Sequence, residues 1–235
     1  MDKKINIAID GPVGAGKSTI AKLLAKKLNY IYVDTGAMYR TVSLKWVRQN
    51  NINENLSSEE LQKKISTEEK NIVAITKNSK ILLTQNEKIF LDDEDVSQII
   101  RTPFITKVAS PLSAIKDVRT ELVKQQKNIA QNKGVIMEGR DIQTIVMPEA
   151  ELKIFLTATA SARAERRYRE YLIKNIQVDK QTLVKDIEER DKRDSARAIA
   201  PLKKADDGIE LDTTNLSIEQ VVDKIYKLAQ EKILV

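Results

Sequence analysis

The chain has 235 residues, 41% of them hydrophobic and 31% charged, with a formal net charge of +6; that suits one substantial globular domain with inserted lobes and excludes a disordered chain. It holds neither cysteine nor histidine, which removes disulfides, thiolate chemistry, and the commonest general base and transition-metal ligand together. Any catalysis is left to Arg, Lys, carboxylates, hydroxyls, backbone groups and a hard cation.

In chain order, residues 5–10 predict a buried strand and 17–29 a helix with Ile20, Leu23, Leu24 and Leu28 on one face. YIYVDTG, residues 30–36, predicts a second short strand ending at a turn glycine, and 37–49 a helix capped by Asp34 or Thr35. Residues 51–70 are polar, with Ser57 and Glu60 spaced as a capping box. NIVAIT, KILLT and KIFL, separated by KNS and QNE, then predict a small antiparallel meander inserted into an otherwise alternating strand–helix order. Thr102-Pro103 opens another helical stretch, which Pro111 breaks or kinks before a longer helix over 113–131. GVIME (134–138) and ELKIFL (151–156) predict apolar strands of parallel-sheet character. Residues 161–194 predict helix dense in charge, followed by a strand IELD (209–212) and a closing helix 217–232. The implied fold is α/β: a parallel sheet covered by helices and carrying two lobes.

No apolar run approaches the roughly 20 residues of a membrane span. The N-terminus leads straight into a strand without a signal-peptide pattern. A cytoplasmic protein is expected. Aromatic residues make up only 4%, which gives few platforms for stacking bases and weighs against nucleic-acid binding.

GPVGAGKST, residues 11–19, fits G-x-x-x-x-G-K-[ST] between a predicted strand and a predicted helix. Of the 7 glycines in the chain, Gly11, Gly14 and Gly16 fall within this stretch, which argues against an ordinary glycine-rich turn. Glycines let the backbone wrap with its amides inward, and the helix N-terminus adds positive potential. Lys17 would reach the transferable phosphates and Ser18 would ligate Mg²⁺. The nucleotide is assigned to Gly11, Pro12, Val13, Gly14, Ala15, Gly16, Lys17, Ser18 and Thr19. D-x-x-G and [NT]-K-x-D are absent from the sequence, which disfavours a GTP switch; a nucleic-acid ATPase stays open on this motif alone and predicts RNA- or DNA-stimulated hydrolysis.

Three further stretches suggest a phosphate acceptor. DTGAMYR (34–40) puts Arg40 on the first turns of a helix, suited to a second phosphate; a capped helix with a surface arginine is the alternative. GVIME runs into Gly139-Arg140-Asp141, where a strand end would present Arg140 and Asp141, with Glu138 placed to hold the water shell of Mg²⁺; a simple turn competes. In IEERDKRDSARAIAPL (187–202), Arg190, Asp194 and Arg197 recur at i, i+4 and i+7, either a salt-bridged exposed helix or an arginine-bearing lid.

Taken in order, GPVGAGKST, DTGAMYR, QIIRTP, VASPLSAIKDVR, MEGRDI, KIFLTA and ERDKRDSARAIAPL resemble the bacterial cytidylate kinases over essentially the whole chain. The resemblance implies a P-loop NTPase fold with a core of 1–36, 103–156 and 199–235, an acceptor lobe over 37–102 that contains the antiparallel insertion, and a helical lid over 157–198. It implies that Arg40, Arg140 and Arg197 hold the acceptor phosphate and, with Lys17, act in catalysis, and that Thr35 and Tyr39 line the site. It implies that Ser110, Arg119 and Asp141 read the cytosine, that Arg101 faces the ligand from the inserted lobe, and that Arg190 and Asp194 lie near the sugar. ATP and CMP or dCMP are the implied substrates, with Mg²⁺ as cofactor and a monomer as the expected state. The sequence departs from the family at Gln143, often glycine, and at Ala196, often asparagine. Other small phosphotransferases, using AMP, UMP or a non-nucleotide hydroxyl, are the nearest alternative, and VASPLSAIKDVR with the meander argues against them.

Overall fold

The computed structural model describes residues 3–84, 88–173 and 177–234. Its strands and helices in order are β1 (Ile7–Asp10), α1 (Lys17–Leu28), β2 (Ile31–Asp34), α2 (Thr35–Gln49), α3 (Ser58–Thr67), α4 (Glu69–Lys77), β3 (Ile81–Leu83), β4 (Ile89–Leu91), β5 (Glu94–Asp95), α5 (Pro103–Leu112), α6 (Lys116–Ala130), β6 (Val135–Gly139), β7 (Leu152–Thr157), α7 (Ala160–Ile173), α8 (Lys180–Ser195), β8 (Ile209–Asp212) and α9 (Ile218–Leu234). A 3₁₀ turn at Ile99–Arg101 precedes α5, and a π-helical turn at Ile142–Val146 follows β6. Two compact units result, one from the segments up to Val33 and from Ala130 onward, the other from Asp34–Ile129.

The first unit is built on a five-stranded sheet in the order β2-β6-β1-β7-β8. β1 pairs parallel with β6 and with β7, and β7 parallel with β8. Every residue of β1 is buried; the apolar run Ile7–Ile9 suits a central parallel strand, and Asp10 ends it. Ile7, Ile9, Ile136, Ile154 and Leu156 from the sheet pack with Ile20, Ala21 and Leu24 of α1 and with Val221 and Ile225 of α9. Each Ile, Leu or Val side chain among these contributes about 1.5–3 kcal/mol when fully removed from water. This core leaves the strand ends free to carry polar groups.

In the second unit, α2 packs on α4 and α5 around the fully buried Trp46, whose indole Nε1 donates to Glu68 Oε2 at 2.8 Å. The antiparallel sheet β3-β4-β5 carries a second cluster formed by Ile89, Leu91, Val96 and Ile100 with Leu44. Asp92 and Asp93 both have positive φ (48° and 71°) between β4 and β5, the turn geometry whose twist matches a two-residue hairpin. Helix starts follow local chemistry: Asp34 Oδ1 accepts from Ala37 N, Ser57 and Glu60 complete the capping box, and Thr102 caps α5 with Pro103 at its first position.

Several expectations are corrected. NIVAIT is helical, within α4, because Ile72, Ile75 and Thr76 are its buried positions; burial at the i, i+3, i+4 spacing overrides the β preference of Ile and Val. The meander's third strand is instead the acidic pair of β5, and the QNE connection lies outside the described residues. Leu23 is 43% exposed, since the face α1 buries runs through Ile20, Ala21, Leu24 and Ala25. Gly36 lies inside α2, not at a turn; a Cβ there would meet Arg40 Nη1 at 3.1 Å and Asp34 Oδ1 at 3.2 Å, so its smallness leaves room for that ion pair. The charged stretch 161–194 is two helices, with Asp179 capping the second through Thr182 N; residues 174–176 fall outside the description. Arg197 stands beyond α8, after the C-cap Ala196, so it does not share a helix face with Arg190 and Asp194.

Candidate active site

In the first unit, Asp10 and Gly139 are register partners at the ends of β1 and β6. The chain leaves β1 through Gly11, whose φ is +151° and where a Cβ would stand 2.1 Å from the Leu156 carbonyl oxygen. Any side chain would displace the loop from the sheet. The loop closes on α1, whose first turn carries no acidic residue, so the positive end of that helix is kept for an anion. Ala15 and Lys17 are buried, whereas Ser18 and Thr19 are exposed. Lys17 Nζ donates to the Pro12 carbonyl at 2.8 Å. Burial first, and then the neighbouring Arg140, push its ammonium down to about 7, against the pull of Glu138 and Asp10.

Asp10 is fully buried, and its two carboxylate oxygens accept from the backbone N–H groups of Ile142 (3.0 Å) and Gln143 (2.8 Å). Burial raises its pKa to about 7 while those two amides pull the other way. It thereby pins the start of the turn that carries Asp141, itself buried. Glu138 is buried, and its Oε1 accepts from the Tyr32 hydroxyl.

A second cluster of charge is organised by Asp194, which is 2% exposed. Its Oδ2 lies 2.9 Å from Arg140 Nε and its Oδ1 2.6 Å from Arg197 Nη2, so one carboxylate holds two guanidinium groups. Burial raises the Asp194 pKa, but Arg140 and Arg197 more than offset that and keep it below the usual carboxylate value. Arg190 lies one helical turn earlier on α8; burial and then Arg140 lower its pKa to about 10, and its Nε is buried without a hydrogen-bond partner among the described residues. Arg190 also acts electrostatically on Lys17. Lys17, Glu138, Arg140, Arg190, Asp194 and Arg197 are thus brought together.

In the second unit, Asp34 is the organising carboxylate. Arg40 Nη2 lies 2.8 Å and Arg101 Nη2 3.7 Å from its Oδ2. Burial raises Asp34, and Arg40 followed by Arg101 brings it below its ordinary value. Thr35 is buried beside it. The Arg119 guanidinium lies over the Tyr39 ring, 5.6 Å from its centroid, and donates from Nη1 to the Ser113 carbonyl at 3.1 Å. Ser110, half-buried, accepts from Ser113 Oγ at its carbonyl.

Of the two departures noted in the sequence, Gln143 is buried and accepts at Oε1 from Ala205 N at 3.2 Å, and Ala196 closes α8 through a bond from its N–H to the Lys192 carbonyl at 2.9 Å. Both are spent on packing. Sequence reasoning missed Asp10, Tyr32 and Arg163. Asp10 carried one signal, a carboxylate directly before Gly11 at the end of an apolar strand. Tyr32 and Arg163 carried none, because their partners Glu138 and Asp191 are distant in sequence. Among the described residues no group of three or more carboxylates could cage a metal ion. The oxygen donors expected from the sequence are the Ser18 hydroxyl, exposed at the start of α1, and the Glu138 carboxylate, buried near the end of β6; a set this sparse suits an ion that keeps its waters and takes phosphate oxygens.

A solved structure of an uncharacterized protein from Eubacterium ventriosum superposes with a TM-score of 0.52 at 15% identity, covering 97% of this chain and 99% of that one, which speaks to the fold alone. Curated relatives are much nearer. A protein named cytidylate kinase from Caldicellulosiruptor saccharolyticus is 50% identical over 229 residues, covering 96% of each chain. Another of that name from Bacillus cereus is 47% identical over 231 residues, covering 97% of each. The family model described as cytidylate kinase matches residues 7–231. With a parallel sheet, a phosphate loop at its strand ends and this match over nearly its whole length, the chain belongs to the cytidylate kinase family and is a nucleoside monophosphate kinase.

Proposed function

We propose that the chain transfers the terminal phosphoryl group of ATP to CMP or dCMP, giving ADP and CDP or dCDP. The observation that carries the proposal is the gathering of the buried Lys17 with the half-buried Arg140, Arg190 and Arg197 where β1 and β6 end. An oxygen of the acceptor phosphate attacks the γ-phosphorus, and the bond to the bridging oxygen of ADP breaks. The attacking oxygen is already anionic, so the step needs no general base, in keeping with a chain without histidine. Catalysis then consists of alignment and of charge stabilisation during transfer.

Residues 11–19 would hold ATP, with Lys17 at the transferring phosphate. Arg40, Arg140 and Arg197 would hold the acceptor phosphate, with Arg101, Thr35 and Tyr39 beside it and Arg190 and Asp194 at the sugar. The core would be 1–36, 103–156 and 199–235, the acceptor lobe 37–102 and the lid 157–198. Ser18 directly, and Glu138 through water, would hold Mg²⁺; when bound, that ion screens the phosphate charge. Among the described residues no helix is long and apolar enough to cross a membrane; a cytoplasmic monomer acting on small nucleotides is part of the proposal. A coupled ADP-release assay with ATP, Mg²⁺ and each nucleoside monophosphate in turn tests it, and preference for an acceptor other than CMP or dCMP would overturn it.

Ser110, Arg119 and Asp141 are the residues proposed to read the base. Cytosine presents an amino donor where uracil presents an oxygen, so the Asp141 carboxylate accepts from one and opposes the other. Asp141→Ala is expected to lose most of the CMP-over-UMP preference, worth about 1–3 kcal/mol per polar pairing, while ATP affinity is kept. Steady-state kinetics on both acceptors reads this ratio, and an unchanged ratio would remove Asp141 from the role.

A further inference from the structure

We infer that Arg163 is a positioning residue for phosphoryl transfer: its guanidinium fixes where the phosphate loop stands relative to the arginine-bearing helix α8. The inference rests on the kinase reading above. Arg163 lies in the first turn of α7 and is 5% exposed. Its three nitrogens point to three separate segments. Nε donates to the Ala158 carbonyl at 2.9 Å, Nη1 to the Val13 carbonyl of the phosphate loop at 3.1 Å, and Nη2 pairs with Asp191 Oδ2 on α8 at 2.6 Å.

The loop rests on the same residue. At Gly14, where φ is +75°, a Cβ would stand 3.0 Å from Arg163 Cβ and 3.3 Å from the Arg163 carbonyl oxygen. The Val13 side chain packs against the cluster formed by Ala164 of α7 with Leu183 and Ile187 of α8. Loop, α7 and α8 therefore meet at one junction, with a planar charged fork at its centre. Asp191 directly follows Arg190 in α8, so the pair with Arg163 anchors the stretch of backbone from which Arg190, which acts electrostatically on Lys17, projects. The other oxygen of Asp191, Oδ1, is buried without a hydrogen-bond partner among the described residues. Its charge is thus compensated through Arg163, and a lysine, one point charge without the fork, could not reach all three acceptors at once.

The test uses the full chain with R163K, D191N and the double variant, measuring kcat, KM for ATP and CMP, and melting temperature. Misplacing the loop by about 1 Å is expected to lower kcat by about 10²-fold in R163K, with both KM values within about threefold. D191N, which keeps the shape of the side chain, is expected to lower kcat likewise, and supplies the readout alone if R163K does not fold. The double variant is expected to be no worse than R163K, since both changes act on the same Arg163–Asp191 pair. Lowered melting temperature with kcat retained would overturn the inference, because it marks a packing role alone; so would losses that multiply in the double variant. If the unaltered chain is inactive on CMP and dCMP, the kinase reading fails. If it is active and R163K and D191N match it, only the role of Arg163 fails.

Discussion

Replacing Lys17 with alanine is expected to lower the rate of phosphoryl transfer by at least about 10³-fold while leaving a folded chain. The loss follows from its place: Nζ is held on the Pro12 carbonyl inside the phosphate loop, where an ammonium can follow charge from one bridging oxygen to the next as the phosphoryl group moves. The survival of the fold follows from its electrostatics. Burial lowers Lys17 from its ordinary 10.5 to about 7, so the charged form is a cost to the folded state. Between about pH 7 and about pH 10.5 the unfolded chain binds more protons at this residue than the folded one, and the wild type must gain stability as pH rises through that window. The alanine variant lacks that gain. Chemical denaturation near pH 7 and near pH 10 should show the wild type improving relative to the variant. Appreciable turnover by a folded Lys17→Ala protein would refute the catalytic role.

Arg140→Ala is expected to lower kcat by about 10²–10³-fold and to raise KM for CMP. Unlike the lysine change, it should also destabilise the fold, because Asp194 would keep only Arg197 as a charged hydrogen-bond partner. A buried carboxylate that loses one charged hydrogen bond costs about 1–3 kcal/mol. With its pKa held below the usual value, Asp194 now contributes stability that is present above the unfolded pKa and lost only as pH falls through the lowered one. Without Arg140 the folded pKa rises, that contribution shrinks, and acid unfolding should begin at higher pH. Urea melts at neutral and mildly acidic pH check the second effect and initial rates the first. A wild-type kcat would exclude Arg140 from the transferring phosphate.

The sequence showed the parallel strands well because β1, β6 and β7 are mostly apolar and mostly buried, with Asp10 and Glu138 near strand ends and Lys153 the one charge inside β7. It failed where tertiary burial outweighed local preference, as in α4, whose Ile and Val spell a strand but whose buried positions fall at helical spacing. The glycine spacing and Lys17 of the phosphate loop were legible because the motif is local. The carboxylates that organise the arginines were not. Asp34 could be read as a helix cap, but its pairing with Arg101 spans 67 positions of chain. The Arg140–Asp194 pair spans 54. One-dimensional spacing does not encode such long-range pairs unless both partners lie on one element.

The double grip of Asp194 on Arg140 and Arg197 has a consequence for which molecules can be substrates at all. In the proposed site the carboxylate is seated on the two guanidinium groups that an incoming acceptor phosphate would engage. An uncharged nucleoside brings nothing able to compete with it, so such a site would turn that molecule away for want of charge, whatever its base.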